Sequence, residues 1–235
     1  MSDKGHLHPI TSVIREMCAI FDMLGYSVAS GPELETEFHN FDALNVPPDH
    51  PARDMQDTFW VKTKPGEARK VLRTHTSSVQ VRFLESLASN PRPFKIVVPG
   101  KVYRNEATDA THEAQFHQFE GLYVNKTVSM AELKGTLEKF LKEFLGPEAK
   151  IRLRSSYFGF VEPGVEVDVW WNNRWLEVVG AGLVHPHVIA SSGLDPKVWK
   201  GFAFGMGVDR LVLMRYGIDD IRHLYSGDLR LINQF

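Results

Sequence analysis

Cysteine is nearly missing from this chain: Cys18 is the only one in 235 residues. A single thiol excludes an intramolecular disulfide and any cysteine-rich zinc site, and it fits a reducing setting inside the cell. Net charge is missing too, since 27 basic residues against 29 acidic ones leave −2. No global basic field is available to hold a nucleic acid, so an RNA partner needs either a local patch or another subunit for its phosphate contacts. No apolar run approaches the roughly 20 residues that a membrane span requires, and Met1 to Pro9 carries no apolar core of the kind a signal peptide has. The expected location is the cytoplasm, or an organelle if a targeting segment has been lost. Ten histidines are present, yet none forms His-x-x-x-His on a helix. A histidine-built metal site is therefore disfavoured. A dinucleotide fingerprint is also missing, because Gly205 and Gly207 have neither a third glycine nor a parallel βαβ setting.

What is present suffices for one sizeable core, with 43% hydrophobic residues over a length that suits one domain, residues 1–235. Pro9 stands where a first helical residue would, and Ile10, Val13, Ile14, Met17, Ile20, Phe21 and Leu24 follow at helical spacing. A long segment rich in Pro and Asp then runs to Trp60, with Phe38, Phe41 and Leu44 before it as core or interface. Val61 to Arg73 reads as a hairpin turning at Lys64-Pro-Gly-Glu67, and Ser78 to Leu87 as a helix capped by Thr76 or Ser77. Ser129 and Glu132 form a capping box ahead of a helix with a buried stripe from Leu133 to Leu145. Short strands over Lys150–Ser155, Val165–Trp171 and Leu176–Val179 complete the pattern. Mostly antiparallel strands with helices between them point to an α+β class.

The chemistry concentrates between Val98 and Gly121, where Arg104, Glu106, Glu113, Gln118 and Glu120 accompany His112 and His117. Two runs that read as strands, Phe94–Tyr103 and Phe116–Val124, flank the loop. Across an antiparallel pair, side chains of one face reach one another, so a fixed arginine and fixed carboxylates can line one wall of a site. Such a wall suits a polyanion with a cationic appendage; the plain alternative is a solvated hairpin with an acidic loop. Elsewhere, Leu72-Arg-Thr-His-Thr-Ser77 brings polar groups to a helix N-terminus. Phe158 and Phe160, two apart on a presumed strand, face one side. Gly205 and Gly207 sit on a strand, where glycine is costly unless something approaches the backbone.

Arg-x-Glu, a loop, then Phe-His-Gln-x-Glu-Gly121 resembles motif 2 of the class II aminoacyl-tRNA synthetases. In detail the chain is most similar to the alpha-subunit family of phenylalanyl-tRNA synthetase. Gly31-Pro-Glu-Leu-Glu35, Asn40-Phe-Asp-Ala-Leu-Asn45 and the run from His50 to Phe59 resemble that family's motif 1 region, taken here as about 9–45. Thr74-His-Thr-Ser77, Tyr157-Phe-Gly-Phe-Val-Glu-Pro163 and Gly201-Phe-Ala-Phe-Gly-Met-Gly-Val-Asp-Arg210 follow in the family's order, with motif 2 at about 98–124 and motif 3 at about 201–216.

The resemblance implies the class II catalytic fold, a mostly antiparallel sheet flanked by helices. It implies activation of phenylalanine by ATP and Mg2+, then transfer to tRNA(Phe). It places Arg104 on the alpha-phosphate and substrate carboxylate and Arg210 on the gamma-phosphate side. Phe116 stacks on adenine, Glu106 accepts from its amino group, and Gly205 and Gly207 admit the nucleoside. His75, Ser77, Gln118 and Glu120 hold the polar end of the amino acid, and Phe158, Phe160 and Ala203 enclose its ring. Glu177, on the strand before motif 3, is a candidate magnesium ligand. Motif 1 implies a homodimer, and the family adds a beta subunit that supplies editing and much of the tRNA contact, giving two alpha and two beta chains. Two departures stand out. Gly159 replaces an expected proline, which should loosen the aromatic wall, and Gly5-His-Leu-His-Pro9 opens the catalytic region without the family's helical N-terminal extension. Transfer to tRNA is therefore expected to be weak without a partner. A relative specific for phosphoserine or pyrrolysine, or a non-catalytic synthetase-like module, are the alternatives.

Overall fold

The computed structural model of the chain describes residues 5–235, so the start of the Met1–Pro9 stretch lies outside the described residues. Helix α1 (Pro9–Met23) begins at the expected proline, and its N-cap His8 accepts the Ile10 N–H. Its stripe of Ile10, Val13, Met17, Ile20 and Phe21 is buried. β1 (Ser27–Val28) follows, then β2 (Leu34–Thr36), α2 (Glu37–Asn40), β3 (Trp60–Val61) and β4 (Lys70–Leu72). The hairpin expected between Val61 and Arg73 is β3–β4, and β4 also pairs with β2, making a small three-stranded sheet that the sequence did not disclose. β2 escaped notice because it is three residues long and its central residue is a buried glutamate. Glu35 is fully buried and bridged at both oxygens by Arg82, 2.6 and 2.7 Å away.

α3 (Ser77–Leu87) leads to the principal hairpin, β5 (Phe94–Tyr103) and β6 (Gln115–Asn125), within a residue of the expected bounds. α4 (Met130–Leu145) has the complete Ser129–Glu132 capping box and ends at Gly146, whose φ of 107° favours glycine. β7 (Ile151–Phe158), β8 (Val161–Trp171) and β9 (Arg174–Val184) run longer than the sequence suggested. The β8–β9 turn at Asn172 and Asn173 has two positive φ values, 46° and 61°, which asparagine tolerates. α5 (Pro186–Ser191), β10 (Lys200–Gly207), α6 (Val208–Tyr216) and α7 (Leu229–Ile232) close the chain.

The large sheet has the order β1-β5-β6-β10-β9-β8-β7, and only the β1–β5 pair is parallel. The face covered by α1, α4 and α6 carries the larger core, and α3 and α5 pack a smaller one on the other side. Phe21 stacks on Phe119, Phe140 and Phe204 at centroid separations of 5.3, 4.7 and 5.2 Å, tying α1 and α4 to the central strands. Burying each such ring contributes about 1.5 to 3 kcal/mol. The other face is built differently. Leu122, Glu120 and Gln118 of β6 lie opposite Ala203, Gly205 and Gly207 of β10, and Ala203 and Gly205 in turn lie opposite Gly182 and Gly180 of β9. Residues with little or no side chain thus form a trough down the middle of the sheet.

Candidate active site

Two cavities occupy that trough. One, of about 430 Å³, is bounded mainly by apolar groups, among them Leu44, Leu84, Phe158, Phe160, Val184 and Ala203, with His75, Ser77, Gln80, Gln118 and Glu120 at one side. The second, of about 300 Å³, is polar and holds Glu106, Phe116, Gly207, Asp209 and Arg210. Arg104, Gln118, Glu177, Gly180 and Gly205 line both. An apolar cavity with a few convergent polar groups, opening into a charged one, has the form of a site for two joined substrates.

Strand alternation puts Phe116, Gln118 and Glu120 on the trough side. A bulge on β9 also brings Glu177 there: Val167 pairs with Val179 but Asp168 with Glu177, so Val178 is the extra residue that turns Glu177 to the face of Gly180. Every sequence-predicted site residue therefore borders one cavity or the other. The structure also brings to the cavities residues that the sequence had not assigned to the site, among them Gln80, Leu84 and Leu44, the last read as core or interface, at the apolar cavity and Asp209 and Ile221 at the polar one. Gln80 and Leu84 were signalled by their spacing of three and seven from Ser77 on one helix face.

The expectation that Thr76 or Ser77 caps α3 through its own side chain is corrected. The capping group is Glu120, from the neighbouring strand. Its carboxylate accepts the Thr76 N–H at 3.1 Å, the Ser77 hydroxyl at 2.5 Å and the Gln80 amide at 3.1 Å. An anion is favoured at a helix N-terminus, and this one leaves the Thr76 hydroxyl without a partner. Burial pushes the Glu120 carboxyl up, against the lowering effect of the Ser77 and Thr76 bonds. Gly205 lies opposite it in register, and a Cβ there would come within 3.1 Å of the Glu120 side chain. Gly205 accordingly makes room for Glu120, whereas nothing lies within 4 Å of a Cβ on Gly207.

His75 is fixed as a neutral ring. Its Nε2 donates to the Asn40 carbonyl at 3.0 Å, which leaves Nδ1 as an acceptor without a protein partner. Burial, then the charge of Arg104, lowers its pKa to about 4. Asn40 also exchanges two hydrogen bonds with Thr74, so α2 holds the turn carrying His75. The Gln118 side-chain oxygen is likewise buried without a partner. Two free acceptors beside a buried carboxylate at the cavity wall suit a cationic amine.

Phe158 and Phe160 are not on one strand, as their spacing had suggested. Phe158 ends β7, and Gly159 and Phe160 form the turn into β8. The rings nevertheless stack, with centroids 5.9 Å apart, and both line the apolar cavity. In the polar cavity, Arg104 lies over the Phe116 ring, 5.0 Å from its centroid, with Glu106 4.0 Å away. Arg210 donates to the Glu177 carbonyl at 2.8 Å. The preceding Asp209 is buried; it accepts the Tyr225 hydroxyl and the His117 N–H, and His117 Nδ1 lies 2.9 Å from Tyr225. Burial and the nearby charge of Glu166 push the Glu177 carboxyl up. No cluster of three or more metal-ligating side chains occurs among the described residues.

Known proteins are similar to this chain in sequence. A family model described as the class II core domain of tRNA synthetases (F) matches residues 1–235. The phenylalanine–tRNA ligase alpha subunit of Dehalococcoides mccartyi strain CBDB1 is 51% identical over 98% of the chain and 70% of its own length. Its counterpart from Prochlorococcus marinus strain MIT 9313 is 52% identical over 98% of the chain and 66% of its own length. That of Chlorobium phaeovibrioides strain DSM 265 / 1930 is 49% identical over the whole chain and 72% of its own length. With the family model matched from end to end and about half of its residues identical to those of each of these relatives, the chain belongs to the class II aminoacyl-tRNA synthetases, in the alpha-subunit family of phenylalanine–tRNA ligase.

Proposed function

We propose that the chain joins phenylalanine to ATP as phenylalanyl-adenylate, with release of pyrophosphate, and passes the phenylalanyl group to tRNA(Phe). The junction of the two cavities at Arg104 carries this reading. An aromatic amino acid lying in the apolar cavity presents its carboxylate at Arg104, where a nucleotide in the polar cavity presents its alpha-phosphate. A carboxylate oxygen attacks that phosphorus while the bond to the pyrophosphate oxygen breaks. Charge accumulates on phosphate oxygens, and Arg104 and Arg210 supply fixed donors for it. Catalysis is positioning and electrostatics, with no covalent nucleophile.

Around that centre, Gln118, Glu120 and the His75 Nδ1 atom receive the ammonium group, with Ser77 acting through the Glu120 carboxylate it bonds. Phe158, Phe160 and Ala203 surround the ring. Phe116, with Arg104 lying over one face of its ring, offers the other to adenine, and Glu106 accepts from the adenine amino group. Gly207 leaves the ribose an open strand, with Gly205 beside it where the two cavities meet. Glu177 suits Mg2+: a carboxyl raised partly by a second carboxylate favours a divalent cation, which takes one or two carboxylates and keeps its waters. Mg2+ would neutralise charge on the polyphosphate. The apolar lining disfavours phosphoserine.

Motif 1 is the dimer contact of the chain alone, and a beta subunit is its partner, as the relatives' name implies. Transfer to tRNA is weak without that partner. The cytoplasm is the site of action, and no helix among the described residues is long and apolar enough to cross a membrane. The test is amino-acid-dependent exchange of pyrophosphate into ATP, by the chain alone and with a relative's beta subunit. Phenylalanine should drive exchange and other amino acids far less. Exchange driven best by a polar amino acid would refute the assignment.

A further inference from the structure

The tip of the β7–β8 hairpin carries both stacked rings of the apolar cavity, yet the sheet does not fix where the tip lies. β7–β8 pairing is regular to Ser156–Gly164 and then shifts before Phe158–Val161, and β8–β9 pairing shifts between Val161 and Gly164 as well. With both ladders irregular there, the tip depends on groups outside the hairpin. Two are present. The His185 N–H donates to the Phe160 carbonyl at 2.9 Å, and the Asn45 side-chain amide donates to the Gly159 carbonyl at 2.7 Å.

Asn45 is built for this contact. It follows the short 3₁₀ turn Asp42–Leu44 in a left-handed conformation with φ 59°, which asparagine tolerates better than most residues. The turn is itself held. His187 and Ser191 of α5 each approach a carbonyl of Asp42 or Ala43 at 2.9 Å, and Arg53 bonds the Asp42 carboxylate at 2.6 Å. Asn45 also accounts for the glycine at the tip, because its carbonyl would lie 2.9 Å from a Cβ placed on Gly159. One residue thus holds the tip through its side chain and leaves room there only for glycine, with its neighbour Leu44 in the cavity wall.

Given the reading of this cavity as the phenylalanine site, we propose that Asn45 is a specificity-determining positioning residue. It holds the Phe158–Phe160 wall at the distance that excludes rings enlarged at the para position. Gly159 then leaves the wall no looser than a proline would, since the restraint comes from Asn45 and not from the turn's own stiffness.

The test uses Asn45→Gly, which keeps the left-handed backbone and removes the amide, and Asn45→Asp, which keeps the shape but sets a carboxylate against the Gly159 carbonyl. Melting temperatures identify folded variants. Calorimetry then measures phenylalanine and para-chlorophenylalanine separately, so a chain that does not catalyse exchange still reports. The ratio of the two affinities should shift by about tenfold toward the chloro analogue in either variant, within the range that one extra group in an apolar pocket commands. A ratio unchanged within about twofold in both variants, or equal weakening of both ligands, overturns the role of Asn45 while leaving the phenylalanine site standing. Failure of the unsubstituted chain, with and without a beta subunit, to bind phenylalanine overturns the site itself.

Discussion

Acid should destabilise this protein through His75, and the size of the effect follows from its surroundings. The ring donates from Nε2 to Asn40, and burial with the Arg104 charge holds its pKa at about 4. In the unfolded chain the same group titrates near 6.5, its ordinary value. A folded pKa below the unfolded one means that the unfolded chain takes up a proton which the folded chain refuses. The stability His75 contributes is complete above about pH 6.5, falls steadily toward pH 4 and stays lost below it. At about 1.4 kcal/mol per unit the ceiling is about 3 kcal/mol. Because the ring borders a cavity that water enters, about 1 to 3 kcal/mol is expected. Urea denaturation at half-unit steps from pH 7.5 to 4 (roughly the linkage window) measures it in the unsubstituted chain and in His75→Gln. Glu120 works in the opposite sense, since its raised carboxyl takes a proton more readily in the folded state. That contribution is common to both proteins and cancels in the difference. Identical pH profiles would refute the neutral, buried imidazole.

Three substitutions probe other parts of the site. Ala203→Gly removes the side-chain carbon that stands between Leu122 and Gly182 at the apolar cavity, and should admit para-substituted phenylalanines; unchanged discrimination against para-chlorophenylalanine in pyrophosphate exchange would take Ala203 out of the pocket floor. Glu120→Ala strands the Thr76 N–H, the Ser77 hydroxyl and the Gln80 amide together, and a loss of about 3 kcal/mol or more in urea denaturation is expected. Tyr225→Phe removes the hydroxyl that Asp209 and His117 share, next to Arg210. It should raise KM for ATP severalfold while KM for phenylalanine holds, and parallel changes in both would show a merely structural role.

Sequence reasoning succeeded where periodicity is local. The α1 stripe, the Ser129–Glu132 box and the β5–β6 hairpin each write their structure into consecutive residues. It failed where a polar group answers to a distant one. Glu35 in β2 gave no sign of burial in the sequence, because the Arg82 that neutralises it lies 47 positions away. Ser77 looked like a cap for the same reason: the carboxylate that takes over this task comes from Glu120, 43 positions on. Phe158 and Phe160 line the apolar cavity but not from one strand as their spacing suggested, since alternation in a strand and reversal across a two-residue turn can bring the same two rings together. The Asp209–Tyr225–His117 cluster left no trace in the sequence, its members lying 16, 92 and 108 positions apart.

The claim on which the rest depends is that the apolar and polar cavities form one continuous site joined at Arg104. Calorimetric binding of a non-hydrolysable phenylalanyl-adenylate analogue, compared with phenylalanine and ATP measured singly, tests it most directly. A contiguous site predicts that the linked ligand binds at least about a hundredfold tighter than either part, because joining them converts the second contact into an intramolecular one. Arg104→Ala should remove most of that advantage. An analogue bound no more tightly than phenylalanine or ATP alone would mean that the two cavities do not work as one site.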